Sequence, residues 1–147
     1  MTHTLDITTT YTTGLLAVLT ITGELDVLTS DALRSAAITV ADNGHPHLIL
    51  DLIGVPHCDS SGLSALIGIY RHLQGANGSL ILAAPPDRMT RMLDLTGIDN
   101  LIATVPTTHQ ALIHHVHFSS EPASALPPAA RQDREDGLIQ QGRPDPP

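Results

Sequence analysis

The run His47-Leu48-Ile49-Leu50-Asp51-Leu52 is apolar almost without interruption. A strand with one wet face alternates apolar and polar residues, so a continuous run reads as a strand covered on both faces. Soon after it, Leu63, Leu66, Ile67, Tyr70 and Leu73 recur at helical spacing and make one broad apolar stripe, which predicts an amphipathic helix over residues 61–74. A strand buried on both faces, followed by a helix with an apolar stripe to bury, belongs in an α/β sheet.

The rest of the chain extends that pattern. Residues 5–11 are rich in β-branched side chains, and Gly14 separates them from a second strand over residues 15–22. A helix is expected over residues 30–42, with Leu33, Ala36, Ala37 and Val40 on one face, Thr29 or Ser30 as its cap and Asn43-Gly44 as its stop. Gly75-Ala76-Asn77-Gly78 turns the chain into a strand over residues 79–83. Pro85-Pro86-Asp87 then opens a short helix bearing Met89, Met92 and Leu93, and Gly97 closes it. Residues 101–105 form a last strand, and Thr107 or Thr108 starts a helix that reaches Phe118. The order β-β-α-β-α-β-α-β-α predicts an α/β fold, a mixed sheet of about five strands with an antiparallel edge and flanking crossover helices.

Composition limits what such a domain does. Hydrophobic residues make up 41% of the 147, but aromatics only 2%, so the core must be built from Leu, Ile, Val and Ala. Fifteen acidic residues face seven basic ones, all Arg, for a formal net charge of −8. That balance argues against direct binding to nucleic acid or to an anionic membrane, both of which need a positive field. A single Cys excludes an intrachain disulfide and a thiolate zinc site, and fits a reducing cytoplasm. The first residues show no signal-peptide pattern, and no apolar run approaches the ~18 residues of a membrane span. After Phe118 the composition changes: six of the eleven prolines lie in residues 119–147, with few large apolar side chains. A domain over 1–118 and a disordered tail over 119–147 are therefore expected.

The stretch that can carry chemistry is Cys58-Asp59-Ser60-Ser61-Gly62-Leu63, at the junction of the buried strand and the amphipathic helix. A plain Asp or Ser N-cap accounts for it, since small polar side chains there satisfy free backbone N–H groups. A sharper reading is a serine exposed at a helix start and able to accept a phosphoryl group, because the helix dipole favours an anion there by roughly 0.3–1 kcal/mol. Spacing alone does not separate the two.

Asp59-Ser60-Ser61-Gly62-Leu63 and Gly23-Glu24-Leu25-Asp26 together resemble the paired motifs of the STAS-domain anti-sigma factor antagonists, and Met92-Leu93-Asp94-Leu95-Thr96-Gly97-Ile98 resembles a third segment of that family. The likeness runs over residues 5–118. Pro56-His57-Cys58 departs from it, standing where the family has an apolar or aromatic approach to the Asp. The resemblance implies a phosphorylation switch rather than an active site, with Ser60 as phosphoacceptor and Ser61 supporting the helix start. It places Glu24, Asp26, Asp59 and Gly62 in the surroundings of that serine and in the partner-facing surface. It further implies an anti-sigma factor serine kinase as partner, a phosphoserine phosphatase that resets the cycle, and no cofactor. Two other roles on the same fold are a subunit of a membrane transporter complex and a ligand-sensing module.

Other constellations carry less. His114 and His117 stand one helical turn apart, but no Cys or Glu lies close in sequence to complete a metal site, so no metal is expected. Ser60 beside Asp59 leaves no room for a His between them, and there is no Gly-x-Ser-x-Gly elbow for a hydrolase. No Gly-rich phosphate loop is present either, and Cys58 reads as a small packed hydrophobe.

Overall fold

The computed structural model describes residues 4–119. Five strands form one sheet in the order β1-β2-β3-β4-β5. They are β1 (Leu5–Thr13), β2 (Leu16–Gly23), β3 (His47–Gly54), β4 (Ser79–Ala83) and β5 (Ala103–Val105). Strand β1 pairs antiparallel with β2, and every other neighbouring pair is parallel. Four α-helices follow strands β2 to β5 in turn: α1 (Ser30–Asp42), α2 (Ser60–Gly75), α3 (Asp87–Thr96) and α4 (Thr108–Ser119). The mixed α/β sheet expected from the periodicities is the observed one. The tail expected over 119–147 lies, but for Ser119, outside the described residues. The compact unit that holds the sheet ends at Leu112, and Ile113 opens a second unit, described only as the remainder of α4.

The period of two along each strand divides the core. Ala17, Leu19 and Ile21 of β2, Leu48, Leu50 and Leu52 of β3, and Leu80 and Leu82 of β4 face the larger cluster. Leu33 and Ala37 of α1, Leu66, Ile69 and Leu73 of α2, and Met89 and Leu93 of α3 complete that layer. The alternate residues Leu16, Val18, Ile49, Ile81 and Ala83 join Ala111 of α4 in a smaller cluster on the other face. Strand β3 is thus covered on both sides from Leu48 to Leu50, while Ile53 at its end is 69% exposed.

Three sequence expectations shift. The α2 stripe is centred on Leu66, Ile69 and Leu73, with Ile67 and Tyr70 only half-buried at its margin, because the helix packs against α1 beside it as well as against the sheet. In α1, Ala41 joins Leu33 and Ala37 inside, and Ala36 and Val40 are half-buried. Strand β5 begins at Ala103 and not at Leu101, since Gly97 enters a left-handed turn (φ 79°) that leads into a 3-10 turn over Ile98–Asn100. Leu101 and Ile102 both donate backbone N–H to Ile98 O, which holds them off the sheet.

Because β2 to β5 are parallel, their C-terminal ends lie along one edge of the sheet. The loops entering α1, α2, α3 and α4 therefore all sit on that edge.

Candidate functional site

The loops after β2 and β3 are fastened together by backbone bonds. Leu25 N–H donates to His57 O at 2.9 Å, and Asp59 N–H donates to Leu25 O at 3.0 Å, a short parallel bridge between Leu25 and Cys58. The Leu25 side chain is wholly buried and reaches the start of α2. A Cβ on Gly62 would stand 2.7 Å from both Leu25 Cγ and Cys58 Sγ, so only glycine lets the helix approach this closely. That is the physical link between Gly23-Glu24-Leu25-Asp26 and Asp59-Ser60-Ser61-Gly62: the first segment supplies the plug and the second supplies the gap.

Asp59 caps α2. Its backbone is extended (φ −104°, ψ −171°), and Oδ1 accepts the N–H groups of Ser61 at 2.9 Å and Gly62 at 3.2 Å. With the cap provided by Asp59, neither serine is needed for it. Ser61 contributes its backbone N–H to the helix start, and Ser60 is the first helical residue and exposed. Among the described residues the Ser60 hydroxyl has no hydrogen-bond partner. The geometry therefore separates capping from the exposed hydroxyl, which spacing could not do.

Asp26 organises the other loop. Its Oδ1 accepts Leu28 N–H at 2.9 Å, its carbonyl accepts Ser30 N–H at 2.8 Å, and its own N–H donates to Thr29 Oγ1 at 3.0 Å. Thr29 is the N-cap residue of α1 but makes no side-chain cap bond. Its buried hydroxyl donates instead to Glu24 O at 2.7 Å and draws the loop closed. The cap expected of Thr29 or Ser30 is thus replaced by a clasp within the loop. Glu24 itself is exposed.

Sequence reasoning named Thr29 only as a cap and Leu25 only within its motif, and did not single out Val27 or Leu28. Val27 and Leu28 are each 68% exposed, beside Asp26. Their signal was present, as two adjacent apolar residues lying outside any helical or strand period.

Cys58 is 3% exposed, and its thiol is pushed up to about 12, first by burial and then by the Asp59 charge beside it. A thiol held protonated is a packing group, not a nucleophile. Among the described residues no group of three or more His, Cys, Asp or Glu side chains is placed to hold a metal, and no helix is long and apolar enough to cross a membrane. The His117 side chain of the expected His pair lies outside the described part.

A model of the STAS domain matches residues 6–111. The anti-sigma-B factor antagonist of Bacillus subtilis is 33% identical over 82 residues, spanning 56% of this chain and 74% of that protein. The crystal structure of an anti-sigma factor antagonist from Mycobacterium paratuberculosis superposes with a TM-score of 0.64 at 28% identity, covering 76% of this chain and 93% of that one. The phosphorylated form of the Bacillus cell fate determinant SpoIIAA shares the fold, with a TM-score of 0.59 at 22% identity over 74% of this chain and 98% of that one. The chain belongs to the STAS domain family.

Proposed function

We propose that this protein is an anti-sigma factor antagonist whose affinity for its partner is switched by phosphorylation of Ser60. The partner is an anti-sigma factor that is also a serine kinase. Unphosphorylated, the chain occupies that partner and frees a sigma factor; the kinase then phosphorylates Ser60 from ATP and releases its antagonist. A phosphoserine phosphatase restores the hydroxyl. On this reading the chain is a substrate and a docking surface in the cytoplasm, and the partner brings nucleotide, metal and base.

One observation carries the proposal: the Ser60 hydroxyl stands exposed and unbonded at the start of α2, while Asp59 alone caps that helix. The names of the similar proteins point the same way. The docking surface includes Asp26 with the exposed Val27 and Leu28. A phosphoryl group adds about −1.5 to −2 charges on an edge that already carries Asp59, Asp26 and Glu24. Pressed against an acidic or nucleotide-filled face, that charge repels, and a 100-fold loss of affinity needs only about 2.7 kcal/mol.

The test is displacement. Added to a complex of a serine-kinase anti-sigma factor with its sigma factor, the unmodified chain should release the sigma factor on a sizing column. Ser60→Asp, with one charge and no tetrahedral oxygens, should release less. Failure to displace in every nucleotide state would refute the antagonist role.

A further inference from the structure

The segment from Glu24 to Thr29, between β2 and α1, is held by its own polar groups. At one end Leu25 is buried and bridged to Cys58. At the other Thr29 is 3% exposed, and its hydroxyl donates to Glu24 O and accepts Asp26 N–H. Between them Asp26 O accepts the N–H groups of Thr29 at 3.1 Å and Ser30 at 2.8 Å, and Asp26 Oδ1 accepts that of Leu28. The side chains of Val27 and Leu28 take no part in these bonds and stand in solvent, each 68% exposed. Turns favour Gly, Pro, Asn, Asp and Ser for the conformations and bonds those residues allow. Two adjacent aliphatic side chains at the tip of a turn add nothing to it, and their contact with water is a cost.

The tip lies beside the phosphoacceptor. In the parallel bridge between Leu25 and Cys58, Asp26 runs alongside Asp59, so the turn starts next to the residue that precedes Ser60. The charged residues of the two motifs, Glu24, Asp26 and Asp59, are all negative. They orient a partner but give little hold on one that brings phosphates of its own. Attraction in such a complex has to be apolar, and with aromatics at 2% of the chain it has to be aliphatic. We infer that Val27 and Leu28 anchor this chain in an apolar recess of the serine-kinase anti-sigma factor, beside its nucleotide. The inference rests on the proposed role of Ser60 and divides the labour: the aliphatic pair sets the affinity, and Ser60 sets when it is lost. Because the turn is bonded in advance, little ordering is paid for on binding. Because aliphatic side chains pass neither proton nor charge to the reacting hydroxyl, their contacts are equal before and during the transfer. Such uniform binding lowers KM without raising kcat.

The probe is the serine-kinase anti-sigma factor with ATP and magnesium, and the readout is the steady-state rate of phosphorylation as the full-length chain is varied. Val27→Ser and Leu28→Ser should each raise KM about tenfold or more, with kcat within about twofold of wild type. Leu28→Met, which keeps an apolar side chain, should hold KM within about threefold of wild type. Leu15→Ser removes a leucine that is also well exposed (60%), in the turn between β1 and β2 at the other end of the sheet, and should change neither constant. All these variants should melt in urea with the wild type, since none of the side chains is buried. Unchanged KM in Val27→Ser and Leu28→Ser, a fall in kcat in place of the rise in KM, or an equal rise in Leu15→Ser would overturn the anchor and leave Ser60 as the phosphoacceptor. Lost self-association on a sizing column with KM unchanged would assign the tip to a second copy and overturn it too. A wild type that the kinase leaves unmodified would overturn the role of Ser60 and the anchor with it.

Discussion

At the start of α2 Asp59 caps the helix while Ser60 stands exposed, and single substitutions separate the two. Asp59→Ala removes the acceptor of two helix-terminal N–H groups and should cost about 0.5–2 kcal/mol in denaturant unfolding. Ser60→Ala removes a hydroxyl with no partner and should stay within about 0.5 kcal/mol, as surface changes do. Equal costs for the two would mean that the serine shares the cap. Asp26 behaves differently from what a turn residue suggests, because its Oδ1 accepts Leu28 N–H. Asn keeps an oxygen for that bond and Ala does not. Asp26→Asn should therefore fold within about 0.5 kcal/mol of wild type yet bind the kinase less well, while Asp26→Ala should also lose about 0.5–2 kcal/mol. Calorimetry of binding beside urea melts distinguishes the effects, and wild-type binding by Asp26→Asn would remove that carboxylate from the docking surface.

Between elements, the tightest constraint is the approach of α2 to the loop after β2. Gly62→Ala drives a methyl to within 2.7 Å of Leu25 Cγ and Cys58 Sγ, both belonging to buried residues, so urea unfolding should show a loss of about 1–3 kcal/mol. A loss below 0.5 kcal/mol would mean that the two loops are free to part. This contact marks what the sequence could and could not tell. Periodicity made the strands and helices legible in their right order, because apolar spacing at two or at three to four residues is a local signal. The motifs around Asp26 and Asp59 were legible too, through their family likeness. The bridge that joins them was not, since nothing in the spacing says that Leu25 meets residue 58. The capping partners also escaped, because Asp, Ser and Thr are interchangeable as caps on paper and only the backbone direction at Asp59 selects one. The centre of the α2 stripe at Ile69 depends on α1 packing beside it, which is a tertiary fact.

Across the whole molecule, the end of the sheet remote from Ser60 holds a titrating group. His47, at the start of β3, sits against Ser79 of β4 with Nδ1 and Oγ 2.8 Å apart, and burial holds its pKa below the usual 6.5. Well above pH 6.5 both the folded and the unfolded His47 are neutral, so its contribution to stability is complete. As the pH falls, the unfolded chain takes the proton first, and that stability is lost down through the folded pKa. The melting temperature should therefore drop between pH 7 and pH 5.5, and His47→Gln should flatten the drop; an unchanged slope would assign the acid sensitivity to other groups. At the opposite end of the sheet, the switch proposed above requires that one hydroxyl, that of Ser60, carry it. The direct measurement is intact mass after the wild type, Ser60→Ala and Ser61→Ala chains are each incubated with the serine-kinase anti-sigma factor, ATP and magnesium. Wild type and Ser61→Ala should each gain the mass of one phosphoryl group, and Ser60→Ala none. A phosphorylated Ser60→Ala chain, or a wild type that stays unmodified, would contradict the account.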